Sequence, residues 1–232
     1  MKRIGIIGGL GPEATVDYYR RIVDFFHQEN LSLSTPEIII YSTDIAELFR
    51  LVGDGDREAL VEWLAVKVRG LEAAGADFAV ISANTPHIVF DRVSAKSPIP
   101  LLSIVEATRE RARSMGLKRL GLLGTKFTME ANFFGSCLAK DGIAVLVPDE
   151  ADQEFIHEKL VKEIELGIFS DETRQGLLSI IGRMAGDKLL DGIILGCTEL
   201  PLILEQNQCA LPLLNTTEIH VSAICKYCLG TP

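Results

Sequence analysis

A chain of 232 residues, 47% hydrophobic and 24% charged, has the composition of a globular protein with room for one large core or two smaller ones. Its net charge of −9, with Lys and Arg scattered rather than gathered into a stripe, gives no electrostatic support to binding of nucleic acid or an anionic membrane, so a small-molecule partner is expected. No apolar run approaches the roughly 20 residues a membrane helix requires, and the N-terminus enters a strand pattern without a cleavable signal, so a cytoplasmic location is expected.

In chain order, the apolar run Ile4 to Gly8 reads as a strand, followed through Gly9-Leu10-Gly11-Pro12 by a helical pattern from Ala14 to Gln28. Ile38 to Tyr41 is the next strand, and Arg57 to Ala74 the next helix, with Gly75 where a left-handed cap is wanted. Phe78 to Ser82 and Leu101 to Ile104 are strands, and Val105 to Met115 a helix ended by Gly116. The pattern then restarts with strands at Leu120 to Gly124 and Ala144 to Val147, helices at Gln153 to Leu166 and Glu172 to Ala185, and strands at Gly192 to Leu195 and Leu213 to Asn215. Gly196 stands where the chain must turn sharply out of a strand, and a last helix covers Glu218 to Leu229. Short apolar runs alternating with helices imply parallel sheets built from right-handed crossovers, so the fold class is doubly wound α/β.

The chain also repeats itself. Lys2-Arg3-Ile4-Gly5-Ile6-Ile7-Gly8-Gly9 returns as Lys118-Arg119-Leu120-Gly121-Leu122-Leu123-Gly124-Thr125, the segment Ala76 to Thr85 returns as Leu190 to Glu199, and Ile99-Pro100-Leu101-Leu102 returns as Leu211-Pro212-Leu213-Leu214. Three matched segments in the same order at nearly constant separation predict two pseudo-symmetric α/β domains, each with a mainly parallel sheet and with the active-site cleft between them. The expected division is residues 1–104 plus 214–232 for the first half and 105–213 for the second.

In such sheets ligands bind beyond the carboxyl ends of the strands, where loops lead into helix N-termini. The polar segments Gly8 to Thr15, Ala83 to His87, Gly124 to Thr128 and Gly196 to Glu199 all fall at those ends. Gly9-x-Gly11-x-x-Ala14 matches a relaxed dinucleotide fingerprint, but the acidic ribose ligand expected about 20 residues on is missing, since the second strand reaches an acidic residue only at Asp44. The five cysteines form an odd set without a secreted-scaffold spacing and read as reduced thiols. Cys225-x-x-Cys228 reads as a pair within the last helix rather than a metal or redox motif.

Cys197 is the strongest chemical candidate. A thiol near a helix N-terminus gains thiolate character, although Glu199, if ionised nearby, opposes it; a buried inert cysteine is the alternative. The segments Gly8-Gly9-Leu10-Gly11-Pro12-Glu13-Ala14-Thr15, Ala83-Asn84-Thr85-Pro86-His87, Leu123-Gly124-Thr125-Lys126-Phe127-Thr128-Met129-Glu130 and Gly196-Cys197-Thr198-Glu199 together resemble the aspartate/glutamate racemase family over the whole chain. The resemblance implies a cofactor-independent enzyme with two α/β halves, usually a homodimer, in which two cysteines flank the α-carbon of a small amino-acid or dicarboxylate substrate. One thiolate removes the α-proton and the opposite thiol returns one to the other face. Cys197 matches the second-half cysteine. The first-half cysteine falls on Ala83, a departure at a catalytic position.

By the same resemblance, Asn84, Thr85, Thr125, Thr128 and Thr198 should hold the substrate's carboxylate and ammonium, with Leu10 and Glu199 also at the site. Arg50 and Lys126 are candidates for a side-chain carboxylate. With Ala83 unable to carry a proton, four readings follow: a racemase whose second face is served by water or by Ser82, Thr85 or His87; a single-cysteine decarboxylase of the arylmalonate type; an engineered cysteine-to-alanine replacement; or a binding protein without turnover.

Overall fold

The computed structural model describes residues 1–30 and 34–230, and the chain divides into two compact units, Met1–Ile104 with His220–Pro232, and Val105–Ile219. The first unit contains β1 (Ile4–Gly8), α1 (Pro12–Asn30), β2 (Ile38–Ser42), α2 (Ile45–Gly53), α3 (Arg57–Ala73), β3 (Phe78–Ile81), α4 (Phe90–Ala95) and β4 (Leu101–Leu102). The second contains α5 (Ile104–Ser114), β5 (Arg119–Leu123), α6 (Lys126–Glu130), α7 (Phe133–Leu138), β6 (Ala144–Leu146), α8 (Glu150–Lys162), α9 (Asp171–Lys188), β7 (Gly192–Leu195) and β8 (Leu213–Asn215). The last helix, α10 (Thr216–Leu229), starts on the second unit and runs onto the first. The chain returns to the first unit at His220 rather than at residue 214, because β8 pairs with β7 and holds the start of α10 with the second sheet.

Both sheets are four-stranded and wholly parallel, with orders β2-β1-β3-β4 and β6-β5-β7-β8. The two orders are the same permutation, so the internal repeat of the sequence is also a repeat of topology. In each sheet the chain leaves the first strand toward one side and later crosses to the other. That puts a switch point between β1 and β3, and between β5 and β7.

Strands β1, β3 and β7 are buried along their whole length, which is why they read as unbroken apolar runs rather than alternating ones. On one face of the first sheet Ile4, Ile6, Phe78 and Val80 pack against Tyr18, Ile22 and Phe26 of α1 and against Val221, Ile224, Cys225 and Cys228 of α10. Helix α3 covers β1 and β2. In the second unit Leu123, Ile193 and Leu195 pack on Ile156 and Leu160 of α8 and on Leu177, Ile180, Ile181 and Met184 of α9, in a cluster that includes Cys197 and Leu200.

The structure adds four helices to those legible in the sequence, α2, α4, α6 and α7. Helix α2 starts at Asp44, whose side chain accepts the N–H of Ala46 at 2.9 Å; the acidic residue after the second strand is a helix cap. Gly75 and Gly116 have positive φ as expected of left-handed caps. Gly196 does not, and its requirement is proximity: a methyl group there would lie 2.8 Å from the carbonyl oxygen of Leu123. Gly9 needs both, with φ +73° and a methyl position 2.3 Å from the carbonyl oxygen of Thr43.

Two buried histidines fasten the first unit. His220 on α10 accepts the Tyr18 hydroxyl at Nδ1 (2.9 Å) and donates from Nε2 to the Leu102 carbonyl (3.2 Å), so α1, α10 and β4 meet on one ring. His87 donates from Nδ1 to the Ala83 carbonyl (3.0 Å), accepts the Ile104 N–H at Nε2 (3.3 Å) and stacks on Phe90. Burial holds His87 neutral down to about pH 4 and His220 to about pH 3, against 6.5 for the free side chain. Both folded values are depressed, so the unfolded chain takes up these protons first. Stability from this source is complete above pH 6.5 and declines as pH falls toward 4 and then 3. Each histidine is expected to contribute a slope of about 1.4 kcal/mol per pH unit in that window. Denaturant melts from pH 7 to 4 should show a shallower slope in His220→Gln than in the parent. Gly9→Ala should lower stability by at least about 2 kcal/mol in the same assay, through left-handed strain and the clash with Thr43.

Candidate active site

The polar loops leave from the carboxyl ends of the two central strands of each sheet. In the first unit the glycine-rich turn after β1 is closed on itself. The Gly9 N–H donates to Thr15 Oγ1 at 2.9 Å, the Thr15 hydroxyl donates to the Gly11 carbonyl at 3.1 Å, and the Thr43 N–H binds the Gly8 carbonyl at 2.9 Å. The amide a dinucleotide pyrophosphate would need from Gly9 is therefore already engaged. Leu10 follows in the same turn and is buried.

After β3 come Ser82, Ala83, Asn84 and Thr85, all buried, and a 3-10 turn over Thr85–Val89. The Ser82 hydroxyl donates to the Ile7 carbonyl at 3.1 Å. With both His87 nitrogens bound to backbone and its ring held neutral, Ser82 and His87 act as fasteners of this loop. Neither is arranged as the proton carrier that sequence reading allowed. Thr85 is a second buried hydroxyl at this strand end, two positions beyond the methyl of Ala83.

The second unit builds the equivalent loops from different chemistry. Gly124 and Gly196 bring the ends of β5 and β7 into contact: a methyl group on Gly124 would lie 2.9 Å from the Gly196 carbonyl oxygen. Thr125 caps α6, its hydroxyl oxygen accepting the Thr128 N–H at 3.3 Å, and the two threonine hydroxyls lie 3.2 Å apart. Both are buried. Thr216 donates to the Leu195 carbonyl at 2.7 Å and Thr217 to the Thr198 carbonyl at 3.4 Å, so the start of α10 supports the loop that holds Cys197.

Cys197 sits two residues beyond β7, at the position Ala83 occupies beyond β3, and is 6% exposed. Its thiol donates to Glu199 Oε2 at 3.1 Å, and the Thr198 hydroxyl donates to the same oxygen at 2.9 Å. Glu199 is 2% exposed. Burial, then the charges of Glu199 and Glu165, push the Cys197 thiol well above its ordinary pKa. Glu165, on the 3-10 turn Ile164–Leu166, is itself pushed up to about 8, first by burial and second by Glu199. Sequence reasoning missed Glu165, a partly buried carboxyl within a stretch of alternating acidic and apolar residues where no local signal separates it from solvated ones. Cys137 and Cys225 are also buried and pushed up to about 12. Position at a switch-point strand end sets Cys197 apart from both.

The two candidate cations each carry surface ion pairs. Arg50, on α2, pairs with Glu47 at 2.7 Å and Asp54 at 3.0 Å, and Lys126 pairs with Glu154 at 2.8 Å. Cys225 and Cys228 lie buried on α10, the latter's thiol donating to the Lys2 carbonyl at 3.1 Å. Among the described residues, no group of three or more His, Cys, Asp or Glu side chains is arranged to hold a metal ion, and no helix is long and apolar enough to cross a membrane.

Comparison with known proteins agrees with this arrangement. Residues 7–224 match the family model for Asp/Glu/hydantoin racemases. A broad-specificity amino-acid racemase, RacX, of Bacillus subtilis (strain 168) is 26% identical over 222 residues, 92% of each chain. A crystal structure assigned to the Asp/Glu racemases, from Yersinia pestis, superposes with a TM-score of 0.89 at 36% identity, covering 99% of this chain and 100% of that one. The aspartate racemase homologue PH1733 of Pyrococcus horikoshii OT3 superposes at 0.81 with 33% identity and the same coverage. With a family model spanning nearly the whole chain and relatives aligned end to end, this protein belongs to the Asp/Glu/hydantoin racemase family.

Proposed function

We propose that this protein is a cofactor-independent amino-acid racemase of the aspartate/glutamate type, with Cys197 as the acid/base on one face of the substrate's α-carbon and a non-thiol group or water on the other. The observation that carries this reading is the buried Cys197 thiol at a switch-point strand end, hydrogen-bonded to a carboxylate, within a family of racemases.

The chemistry follows from the groups present. Removing the α-proton leaves an electron pair that delocalises into the α-carboxylate, and hydroxyl and amide donors aimed at that carboxylate stabilise the developing charge. Asn84, Thr85, Thr125, Thr128 and Thr198 are the donors assigned to this role, and each is buried. Leu10 supplies an apolar wall. Arg50 and Lys126 are the cations assigned to a side-chain carboxylate, and such an acid would compete with Glu47 and Asp54 for the first and with Glu154 for the second. Ser82 and His87 are engaged with backbone; Thr85, two residues beyond Ala83, or water is the group assigned to the second face.

Ala83 also favours a second reading, single-faced chemistry in which loss of carbon dioxide generates the carbanion and Cys197 alone protonates it. The family relatives named for racemisation rank it below the first. A homodimer in the cytoplasm is part of the proposal: β2 is an edge strand with Ile40 and Tyr41 exposed, and α1 exposes Val16 and Tyr19, an apolar edge that a second copy would cover.

In heavy water the parent protein is expected to exchange the α-hydrogen of aspartate or glutamate, followed by proton NMR with each enantiomer separately. Cys197→Ser should reduce that exchange at least about 100-fold. Ala83→Cys should raise interconversion of the two enantiomers about tenfold or more. Exchange in Cys197→Ser equal to the parent would remove the thiol from the mechanism, and consumption of a malonate without exchange would favour the decarboxylase.

A further inference from the structure

We propose that His157 is a positioning residue for the second unit's threonine loop: its Nδ1 takes up the Lys126 amide and so fixes the turn that presents Thr125 and Thr128. This rests on the racemase reading, which assigns both threonines to the substrate. Three observations carry it.

The first is the shortness of α6. A helix of five residues forms too few internal bonds to hold itself, and its opening amides have no helical carbonyl to bind. Thr125 serves the Thr128 N–H as the cap. The Lys126 N–H goes instead to α8, where His157 Nδ1 accepts it at 3.5 Å.

The second is that α8 grips one residue twice. Glu154 and His157 stand three positions apart, on one face of α8, and reach the two ends of Lys126: the carboxylate takes the ammonium at 2.8 Å and the imidazole takes the amide. The His157 ring also lies edge-on to Phe127, with centroids 5.7 Å apart at 79°. A surface ion pair alone would hold α6 weakly, whereas the amide bond and the ring contact fix its rotation.

The third is what depends on that rotation. Thr128 is fully buried against both central strand ends: a methyl group on Gly124 would lie 3.2 Å from its Cβ, and one on Gly196 3.5 Å from its Cγ2. Its hydroxyl is 3.2 Å from that of Thr125. Any shift of α6 on α8 therefore moves both hydroxyls relative to the strand end that carries Cys197.

Nδ1 accepts only while the ring is neutral with its proton on Nε2. Burial keeps the ring neutral below its ordinary value of 6.5; Glu154 opposes this, Lys126 of α6 reinforces it and Glu130 of α6 opposes it. Where α8 meets α9, Asp152 is paired with Arg183, and at the end of α8 Lys159 is paired with Glu163. Protonation of the ring would turn Nδ1 into a donor facing the Lys126 N–H and release the turn.

Two substitutions in the full chain separate the acceptor from the ring. His157→Phe keeps a ring against Phe127 and removes the acceptor; His157→Asn offers a carbonyl near the Nδ1 position and does not titrate. Deuterium uptake by the peptide spanning residues 125–130, read by mass spectrometry at neutral pH, reports the turn whether or not turnover occurs. Uptake should be about tenfold faster in His157→Phe and within about threefold of the parent in His157→Asn. With aspartate and glutamate, kcat/KM should fall about tenfold in the phenylalanine variant and largely return in the asparagine one. On acidification the parent's kcat/KM should fall through a limb below pH 6.5 that His157→Asn lacks. Uptake or kcat/KM in His157→Phe equal to the parent, an asparagine variant that behaves like the phenylalanine one, or an acid limb that survives in it overturns the proposal. A parent that turns over no amino acid but shows the uptake pattern would sink the racemase reading and leave the His157 brace standing.

Discussion

The close approach of the two central strands at the switch point of the second sheet is the constraint from which the placing of the thiol follows. Where β5 and β7 end, Gly124 and Gly196 lie backbone against backbone, with no room for a side chain on either. Where β1 ends, Gly8 and Gly9 are crowded by Thr15 of α1 and by Thr43 after β2, and the position matching Gly196 is Ser82, whose hydroxyl binds the Ile7 carbonyl. Only the second sheet sheds its side chains on both central strands before the loops diverge. Cys197 and Ala83 owe their equivalent places to the repeated strand order, each two residues beyond the end of its strand.

The two units use this shared frame differently. In the first, the loop after β3 is braced by hydrogen bonds from Ser82 and His87 to backbone carbonyls, and the ring of His87 stays neutral. In the second, the corresponding loop holds a thiol and a carboxylate in contact and draws its support from Thr216 and Thr217 of α10. One half thus spends its polar groups on rigidity and the other on a titratable pair. Duplication gave two copies of a scaffold, and the asymmetry lies in a handful of side chains at one level of each sheet.

Much of this was legible in the sequence because it depends on local periodicity. All eight strands and the longer helices follow from apolar runs and glycine caps, and the repeat announces the matching sheet orders. The short helices α2, α4, α6 and α7 were not legible: five to nine residues give too few turns for an apolar stripe, and α6 exists because Thr125 caps it against a packed strand end. Gly196 was legible as a special glycine but for another reason, since close approach across a sheet leaves no mark on neighbouring residues. The loops that carry Cys197 and Thr125 could be found from strand ends alone. That Lys126 is ion-paired with Glu154 and that His87 is locked between two backbone groups are facts of contact between residues many positions apart.

The path of α10 has a consequence for how the chain comes to be folded. The core beneath α1 is shared with Val221, Ile224, Cys225 and Cys228, and the Lys2 amide donates to the Cys228 carbonyl at 3.1 Å. During synthesis the first half emerges from the ribosome early but has to wait with one apolar flank uncovered until the final segment arrives. The later half, whose strands and covering helices are contiguous in the chain, can close before it. Such an order makes the N-terminal portion the one that needs shielding from self-association in the cell.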